Sequence, residues 1–309
     1  MRQTSLNMVY ELAKEDSRVV FIGSDLGPGV LNDFKENIPE RFMMEGVAEQ
    51  FIMGFSAGLA KEGFIPYVNT IATFITRRCF EQLSLDLALH KLPVKFIGNG
   101  GGLVYAPLGP THQAIDDISI VKSIPNMTVV APCDANEMRL LMRESLEWPD
   151  PMYIRLARGG EEIVTPENYD FRIGKSIMLK DPIDSIFITC GAMAQNALEA
   201  ARKIEKEKNI KVGVLHMPTI QPIDRESLRK IIPKMNTIVT VEEHIIQGGF
   251  GSTILEFIND ELEVPKKITR VGLNHNFVDK YGTQDELQSY YGLDSSSLAE
   301  VMIREINES

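Results

Sequence analysis

Short runs of apolar, often β-branched residues alternate with longer amphipathic segments along the chain, and this alternation predicts a parallel α/β fold. In the first part, the runs predict strands at Val19–Ile22, Pro66–Asn69, Val94–Gly98, Met127–Ala131 and Met152–Leu156. The segments between them predict helices at Thr4–Lys14, Val47–Lys61, Phe74–His90, His112–Lys122 and Asn136–Glu147. Because the strands are apolar almost throughout, we expect a sheet that helices cover on both faces.

A second α/β pattern follows a polar stretch rich in turn-forming residues, 159–168, which we interpret as an interdomain linker. Its predicted strands are Ser185–Thr189, Lys211–His216, Thr237–Val241 and Ile268–Gly272. Its first predicted helix, Ala192–Glu207, has an apolar stripe at helical spacing. The sequence therefore predicts two doubly wound α/β domains, residues 1–172 and residues 173–309.

Composition narrows the class of protein. With 309 residues, 44% of them hydrophobic, the chain can bury the cores of two domains. A net charge of -11 argues against a nucleic-acid binder, although a few local arginines would suffice to bind an anion. No apolar run approaches the roughly 18 residues of a membrane span, and the N-terminus lacks a signal sequence. Three widely spaced cysteines and five histidines show no metal-ligand spacing, so we expect a cytoplasmic protein without a metal site of its own.

Candidate chemistry begins with Glu49, in the sequence GVAEQ at residues 46–50. Its neighbours are mostly apolar, so a carboxylate buried here needs a partner. The residues alone allow a capping or ion-paired glutamate. They also allow a functional carboxyl group, since a carboxyl in a dry site has a tuned pKa and can exchange a proton.

Two further motifs follow. Phe74 lies 25 residues after Glu49, and the sequence GPTHQ occupies residues 109–113. Taken alone, Phe74 fits a core aromatic residue at a helix start. The Gly-Pro turn with Thr111 as N-cap predicts that His112 lies at the N-terminus of a helix, where either a surface histidine or a ligand-binding one is expected.

Together the three motifs resemble the transketolase and deoxyxylulose-phosphate synthase family of thiamine diphosphate enzymes, and the resemblance covers essentially the whole chain. In that family the glutamate bonds N1′ of the aminopyrimidine, the phenylalanine stacks on that ring, and the histidine lies beside the reacting carbon. The resemblance implies a pyrimidine-binding domain followed by a transketolase C-terminal domain. It assigns catalysis to Glu49 and His112, and cofactor binding to Glu49 and Phe74.

Other positions follow from the same resemblance. Asp25 resembles an aspartate that ends the first strand near the cofactor. Ile71 stands where many members have a second aromatic residue, so one wall of the cofactor pocket should be aliphatic. Arg78 occupies a family arginine position; a substrate contact and an ion pair on a helix surface are both open.

The substrate side departs from the family in two places. Leu108 replaces an aspartate, and Gly100 replaces a donor-binding histidine, so the donor need not be an ordinary pentose phosphate. Arg158 matches an arginine that binds phosphate, and its guanidinium suits phosphate or another oxyanion. Arg155 is the competing candidate, and a salt bridge in the linker is the alternative for Arg158. In the second domain, the glycines at 248–251 could hold a phosphate, although a supporting, cofactor-free C-terminal domain is the preferred interpretation.

The Gly-Asp-Gly sequence that carries the diphosphate and Mg²⁺ in this family does not occur in the 309 residues. The resemblance therefore implies a split enzyme, in which a separate N-terminal subunit supplies the Mg²⁺ ligands, and an α₂β₂ heterotetramer. The implied reaction transfers a two-carbon ketol unit from a ketose or ketose phosphate to an aldose. The alternatives are a deoxyxylulose-phosphate-synthase-like subunit, a 2-keto-acid dehydrogenase E1 β-like subunit and a non-catalytic regulatory subunit.

Overall fold

The computed structural model describes residues 1–24, 31–263 and 265–308. The first part of the chain forms a seven-stranded sheet in the order β10-β5-β6-β4-β3-β1-β2. Its strands are β1 (Val19–Gly23), β2 (Phe42–Met44), β3 (Ile65–Ile71), β4 (Lys95–Asn99), β5 (Thr128–Val130), β6 (Met152–Leu156) and β10 (Thr219–Gln221). All neighbouring pairs are parallel except β10 with β5. The carboxyl ends of the parallel strands therefore share one edge, where ligands of open α/β sheets bind.

Helices cover both faces of this sheet. They are α1 (Arg2–Glu15), α2 (Asn32–Asn37), α3 (Glu49–Lys61), α4 (Ala72–Arg77), α5 (Asp117–Lys122) and α6 (Ala135–Ser145), together with a π-helical segment at Gln82–Ala88. One apolar cluster packs α1 and α6 against the sheet, and another packs α3 and the π-helical segment. The doubly wound arrangement predicted from the apolar strands is confirmed.

The second part of the chain forms a five-stranded sheet in the order β12-β11-β8-β9-β7. Its strands are β7 (Ile177–Lys180), β8 (Ser185–Thr189), β9 (Gly213–His216), β11 (Thr237–Ile245) and β12 (Thr269–Leu273). Its helices are α7 (Met193–Lys208), α8 (Arg225–Ile231), α9 (Phe250–Glu261), α10 (Gln284–Tyr290) and α11 (Ser295–Glu308). The strands are parallel except that β7 runs antiparallel to β9.

The two halves share a core. One apolar cluster includes Ile52 and Val68 of the first half and Ile188 and Phe250 of the second half. In addition, β10 of the second half completes the first sheet as an antiparallel edge strand. All strands of the first sheet except β10 therefore precede the predicted boundary between residues 172 and 173. The shared apolar core also includes residues from both sides of this boundary.

Two helix predictions are wrong in detail. The helix predicted at His112–Lys122 begins at Asp117, with Asp116 rather than Thr111 as N-cap. The carbonyl of Ala114 accepts the N–H of Gly102, and this bridge holds the segment in an extended loop conformation. The segment predicted as one helix at Phe74–His90 divides into α4 and the π-helical segment.

The strands β2, β7 and β10 were not predicted. Each has three or four residues, too few to show a hydrophobic period. Among the described residues, no helix is both long and apolar enough to cross a membrane.

Candidate active site

Glu49 is the first residue of α3 and is almost fully buried, with 2% of its surface exposed. The helix predicted from Val47 thus begins two residues later, which places the carboxylate at the helix start. Its Oε2 accepts a hydrogen bond of 2.9 Å from Nη1 of Arg78. The carboxylate therefore has the charged partner that its burial requires.

Phe74 and His112 meet beside this pair. Phe74, in α4, is half-buried, and its ring lies 5.1 Å from that of His112 in an edge-on arrangement. The Cζ atom of Arg78 lies 4.3 Å from the centroid of the Phe74 ring. The structure thus joins Glu49, Arg78, Phe74 and His112 through consecutive contacts.

His112 lies in a turn rather than at a helix end. Its N–H donates to the carbonyl of Gly109 at 3.0 Å, and its Nδ1 lies 2.9 Å from Oγ1 of Thr111. The ring of Tyr105 stands perpendicular to the histidine ring, 6.4 Å away between centroids. The imidazole is therefore flanked by two aromatic rings, those of Phe74 and Tyr105.

The ring of Tyr105 also explains why residue 100 is a glycine. Position 100 is one of the two at which the substrate side departs from the family pattern. Gly100 has a φ of +82°, and a Cβ built on it would lie 2.1 Å from the ring of Tyr105. A side chain at position 100 is thus disfavoured by both the backbone conformation and the ring of Tyr105. Sequence reasoning missed Tyr105, although three successive glycines at 100–102 indicate that another group approaches this backbone closely.

The second half of the chain holds the loop that carries these residues. The carboxylate of Glu243, in β11, accepts hydrogen bonds from Nε2 of Gln284 and of Gln288 at 2.9–3.0 Å. A Cβ on Gly102 would lie 2.5 Å from Oε2 of Glu243, so the loop backbone lies directly against this carboxylate. Burial raises the pKa of Glu243, although the hydrogen bonds from both glutamines and from the N–H of Leu103 oppose the rise.

Arg155, the competing anion-binding candidate, is committed to internal contacts. Its guanidinium binds the carboxylate of Asp117 at 2.7 Å and donates to the carbonyls of Ala114 and Glu243. Burial raises the pKa of Asp117, but the charge of Arg155, the nearby His244 and the hydrogen bonds from Arg155 and Tyr153 together outweigh burial and leave this pKa below its usual value. Arg155 therefore joins the two halves and is not available to a substrate.

Arg158 is exposed directly before the linker and, within the described residues, forms no ion pair, so the predicted alternative of a linker salt bridge is not observed. It lines a cleft of ≈ 380 Å³ together with residues of the linker, α7 and α10, among them Gln195 and Gln284. Glu49, Phe74 and His112 do not line this cleft. Among the described residues, the cleft that Arg158 lines shares Gln284 with the contacts of Glu243.

Three further residues were predicted for the site: Ile71, Leu108 and Asp25. Ile71 is half-buried at the end of β3, immediately before α4. Leu108 has 53% of its surface exposed and makes no polar contact of the kind an aspartate would make. Asp25 lies outside the described residues.

The glycines at 248–251 do not form an open phosphate site. The carboxylate of Glu242 accepts the N–H groups of Phe250 and Gly251 at the start of α9, at 2.6 and 2.9 Å. The carboxyl group of Glu242 thus takes the position that a phosphate would need. This arrangement agrees with the supporting role preferred for the second domain.

Cys133, Glu137 and His216 form the one group of three potential metal ligands within residues 1–24, 31–263 and 265–308, with ligand atoms within 4.8 Å of one another. The Glu137 carboxylate already accepts hydrogen bonds from the Cys133 N–H and from the Tyr169 hydroxyl, and it pairs with His216 Nε2 at 2.8 Å. Burial raises the pKa of the Cys133 thiol, which disfavours the thiolate that a metal needs. The group therefore acts as a polar link between the two halves.

Comparison with known proteins identifies the family to which the two domains belong. Residues 1–160 match the transketolase pyrimidine binding domain, and residues 174–298 match the transketolase C-terminal domain. This chain belongs to the transketolase family. Membership implies thiamine diphosphate as the cofactor of a group-transfer reaction.

Several relatives have the length of this transketolase-family chain. An apulose-4-phosphate transketolase subunit of Phocaeicola vulgatus is 34% identical over 98% of this chain and 96% of its own. A putative transketolase C-terminal section of Methanocaldococcus jannaschii is 36% identical over 100% of this chain and 96% of its own. A solved structure described as a split-gene transketolase, an inactive β4 tetramer, has a TM-score of 0.89 at 32% identity and covers 99% of this chain and 97% of that chain.

Longer relatives are found as well. The 1-deoxy-D-xylulose-5-phosphate synthase of Clostridium perfringens is 36% identical over 95% of this chain, which spans 47% of that enzyme. The transketolase-family chain therefore corresponds in length to the subunit-type relatives and to about half of the synthase.

The residues present fit the aminopyrimidine part of thiamine diphosphate. They offer a buried carboxylate, a half-buried aromatic ring and a histidine in contact with that ring. Next to these residues in sequence, Oγ1 of Thr73 and both side-chain amide atoms of Gln113 are buried without a hydrogen-bond partner among the described residues. Buried polar groups of this kind require a partner, which a bound ligand or water would provide.

Proposed function

We propose that this chain is the C-terminal subunit of a two-subunit, thiamine-diphosphate-dependent transketolase. It would transfer a two-carbon ketol unit from a ketose or ketose phosphate to an aldose. The observation that carries the proposal is the buried carboxylate of Glu49 at the start of α3, joined to Phe74 and His112 by the contacts around Arg78.

Each residue has a role in this proposal. Glu49 would bond N1′ of the aminopyrimidine and exchange a proton with it, and Phe74 and Ile71 would form the walls beside the ring. His112 moves a proton to or from substrate oxygen, and Arg158 binds the phosphate or another anionic group of the substrate. Bound thiamine diphosphate supplies the nucleophilic carbon that makes cleavage beside a ketone possible.

A separate subunit would supply the diphosphate and Mg²⁺ site. Two relatives of nearly the same length are named as a subunit and as a C-terminal section, and a split-gene relative is described as inactive in a β4 tetramer. Large apolar side chains are also exposed on and around α3 and the π-helical segment that packs on it: Met44, Val47, Phe51, Phe80, Leu85 and Leu89. An apolar surface beside Glu49 suits a subunit interface, and we propose an α₂β₂ assembly.

The proposed domains are residues 1–172, which bind the pyrimidine, and residues 173–309, which form the C-terminal domain. The three cysteines are free and buried, as expected for a protein of the reducing cytoplasm.

The direct test is Glu49→Gln in the assembled enzyme. We expect turnover to fall by roughly 10²-fold or more, because a positioned acid/base group is lost while its shape is kept. Glu45→Gln is the matched control, since Glu45 is an exposed carboxylate four residues earlier, and we expect its turnover to remain within about twofold. Near-normal turnover of Glu49→Gln would contradict the proposed mechanism.

A second reaction has specific support. The match to 1-deoxy-D-xylulose-5-phosphate synthases over 95% of this chain favours decarboxylation of a 2-keto acid followed by addition to an aldehyde. Release of carbon dioxide from pyruvate by the assembled enzyme would favour this reaction, or that of a 2-keto-acid dehydrogenase. Ketol transfer without carbon dioxide would favour the transketolase reaction.

A further inference from the structure

Arg78 makes two contacts with the residues that the proposed function assigns to the aminopyrimidine. Its Nη1 donates to Oε2 of Glu49 at 2.9 Å. Its guanidinium carbon lies 4.3 Å from the centre of the Phe74 ring. One planar group thus bonds the buried carboxylate and covers an aromatic face at the same time.

A guanidinium and an aminopyrimidine are alike in the features that matter here. Both are flat, both carry N–H donors at their edge, and both pack on an aromatic ring. The proposed cofactor contacts are a hydrogen bond to Glu49 and a stacking contact with Phe74. The same oxygen of Glu49 and the same face of Phe74 cannot contact the guanidinium and the aminopyrimidine at the same time.

We infer that Arg78 is a cofactor-site residue whose guanidinium occupies the position of the aminopyrimidine and has to rotate away before thiamine diphosphate binds. The inference rests on the proposed function. It replaces the two roles considered for Arg78 from the sequence, since the ion pair it forms is made with the catalytic glutamate itself.

The geometry permits this rotation. The side chain of Arg78 is 44% exposed, so its charge can return to water. The cation–π contact with Phe74 is individually weak, and a bound aminopyrimidine would give the buried Glu49 a new hydrogen-bond partner, so Arg78 competes with the ligand only modestly.

The adjacent Arg77 differs in this respect. Its guanidinium binds both carboxylate oxygens of Asp116 and the carbonyl of Gln113. Arg77 is therefore fixed between α4 and the turn that follows His112. Of the two neighbouring arginines, the one over Phe74 is the one that can be displaced.

Removal of Arg78 should therefore strengthen cofactor binding. For Arg78→Ala we expect the Kd for thiamine diphosphate to fall by about 3- to 10-fold, the size of one weak competing contact. Arg78→Lys keeps the positive charge but loses the planar group that covers Phe74. Its Kd should lie between those of the wild type and the alanine variant.

The experiment is calorimetric titration of thiamine diphosphate, with Mg²⁺ present, into the complex of the full chain with its candidate N-terminal subunit. Wild type, Arg78→Ala and Arg78→Lys are compared with Arg172→Gln, which removes an arginine paired with Asp170 outside the site. Thermal unfolding of each complex establishes that the variants are folded.

A tighter Kd for Arg78→Ala, with Arg172→Gln equal to wild type, would support the inference. An unchanged or weaker Kd for Arg78→Ala, in a wild-type complex that binds the cofactor, would overturn the inference and leave the proposed function standing. If neither the wild type nor any Arg78 variant binds thiamine diphosphate, the proposed function fails, and the inference fails with it.

Discussion

Gly100 provides a sharp test of how the substrate side is built, because Tyr105 occupies the space that a side chain there would need. A Cβ on Gly100 would lie 2.1, 2.3 and 3.0 Å from three atoms of the Tyr105 ring. The glycine also has a φ of +82°, a conformation that other residues rarely adopt. Gly100→Ala thus imposes a backbone cost and a steric cost.

The two costs can be separated. A left-handed conformation at a non-glycine residue costs about 1–2 kcal/mol, and overpacking of a filled space typically costs about 1–3 kcal/mol. We expect Gly100→Ala to lower the free energy of unfolding by about 2–5 kcal/mol. Gly160→Ala is the matched control, since Gly160 has a φ of +83° but no atom within 4 Å of a Cβ. It should show the backbone cost alone.

Urea unfolding of both glycine variants, and of Gly100→Ala combined with Tyr105→Ala, measures these terms. Tyr105→Ala alone completes the double-mutant cycle. The double variant should lose less unfolding free energy than the two single variants lose together, by about 1–3 kcal/mol. Equal losses for Gly100→Ala and Gly160→Ala, with no coupling to Tyr105, would refute the steric explanation of this departure from the family.

Three further predictions concern buried charges. Glu243→Gln turns an amide donor toward the donors of Gln284 and Gln288, so we expect the free energy of unfolding to fall by about 1–3 kcal/mol. We also expect a raised KM for substrate in steady-state assays, and an unchanged KM would contradict a role of Glu243 in holding the His112 loop. Arg155→Met leaves the buried Asp117 carboxylate without its guanidinium partner, which should lower the free energy of unfolding by about 3–5 kcal/mol in urea. A loss below about 1 kcal/mol would contradict this role of Arg155. Burial raises the pKa of Glu242 to about 7, against the hydrogen bonds from Gly251 and Phe250. Its protonated form therefore contributes stability below pH 4.5 that is lost as the pH rises to about 7, and Glu242→Gln should remove this slope from unfolding measured across that range.

Local patterns predicted the strands well where these lie buried in the middle of a sheet. The predicted strands Met152–Leu156 and Ser185–Thr189 occupy the same residues in the structure, and both are buried throughout. The edge strand β10 was missed, because its three residues become a strand through antiparallel pairing with β5. A short edge strand carries too little periodicity to be recognised in isolation.

Only part of the candidate site could be predicted from the sequence. Glu49, Phe74 and His112 could be proposed from three short motifs and from the family that these motifs resemble. Tyr105 could not, because its significance depends on the distance between its ring and Gly100. Glu243 could not either, since its carboxylate meets the backbone of Gly102, a residue far earlier in the chain.

The second domain, which has no assigned contact with the cofactor, nevertheless controls the geometry of the site. The loop around His112 is held within the first half by the bridge between Gly102 and Ala114, and from the second half by the carboxylate of Glu243. Arg155 joins these contacts, since it donates to the carbonyls of both Ala114 and Glu243. The loop around His112 is therefore held by contacts from both domains, and a first domain without the second would lack the contacts that Glu243 makes with this loop.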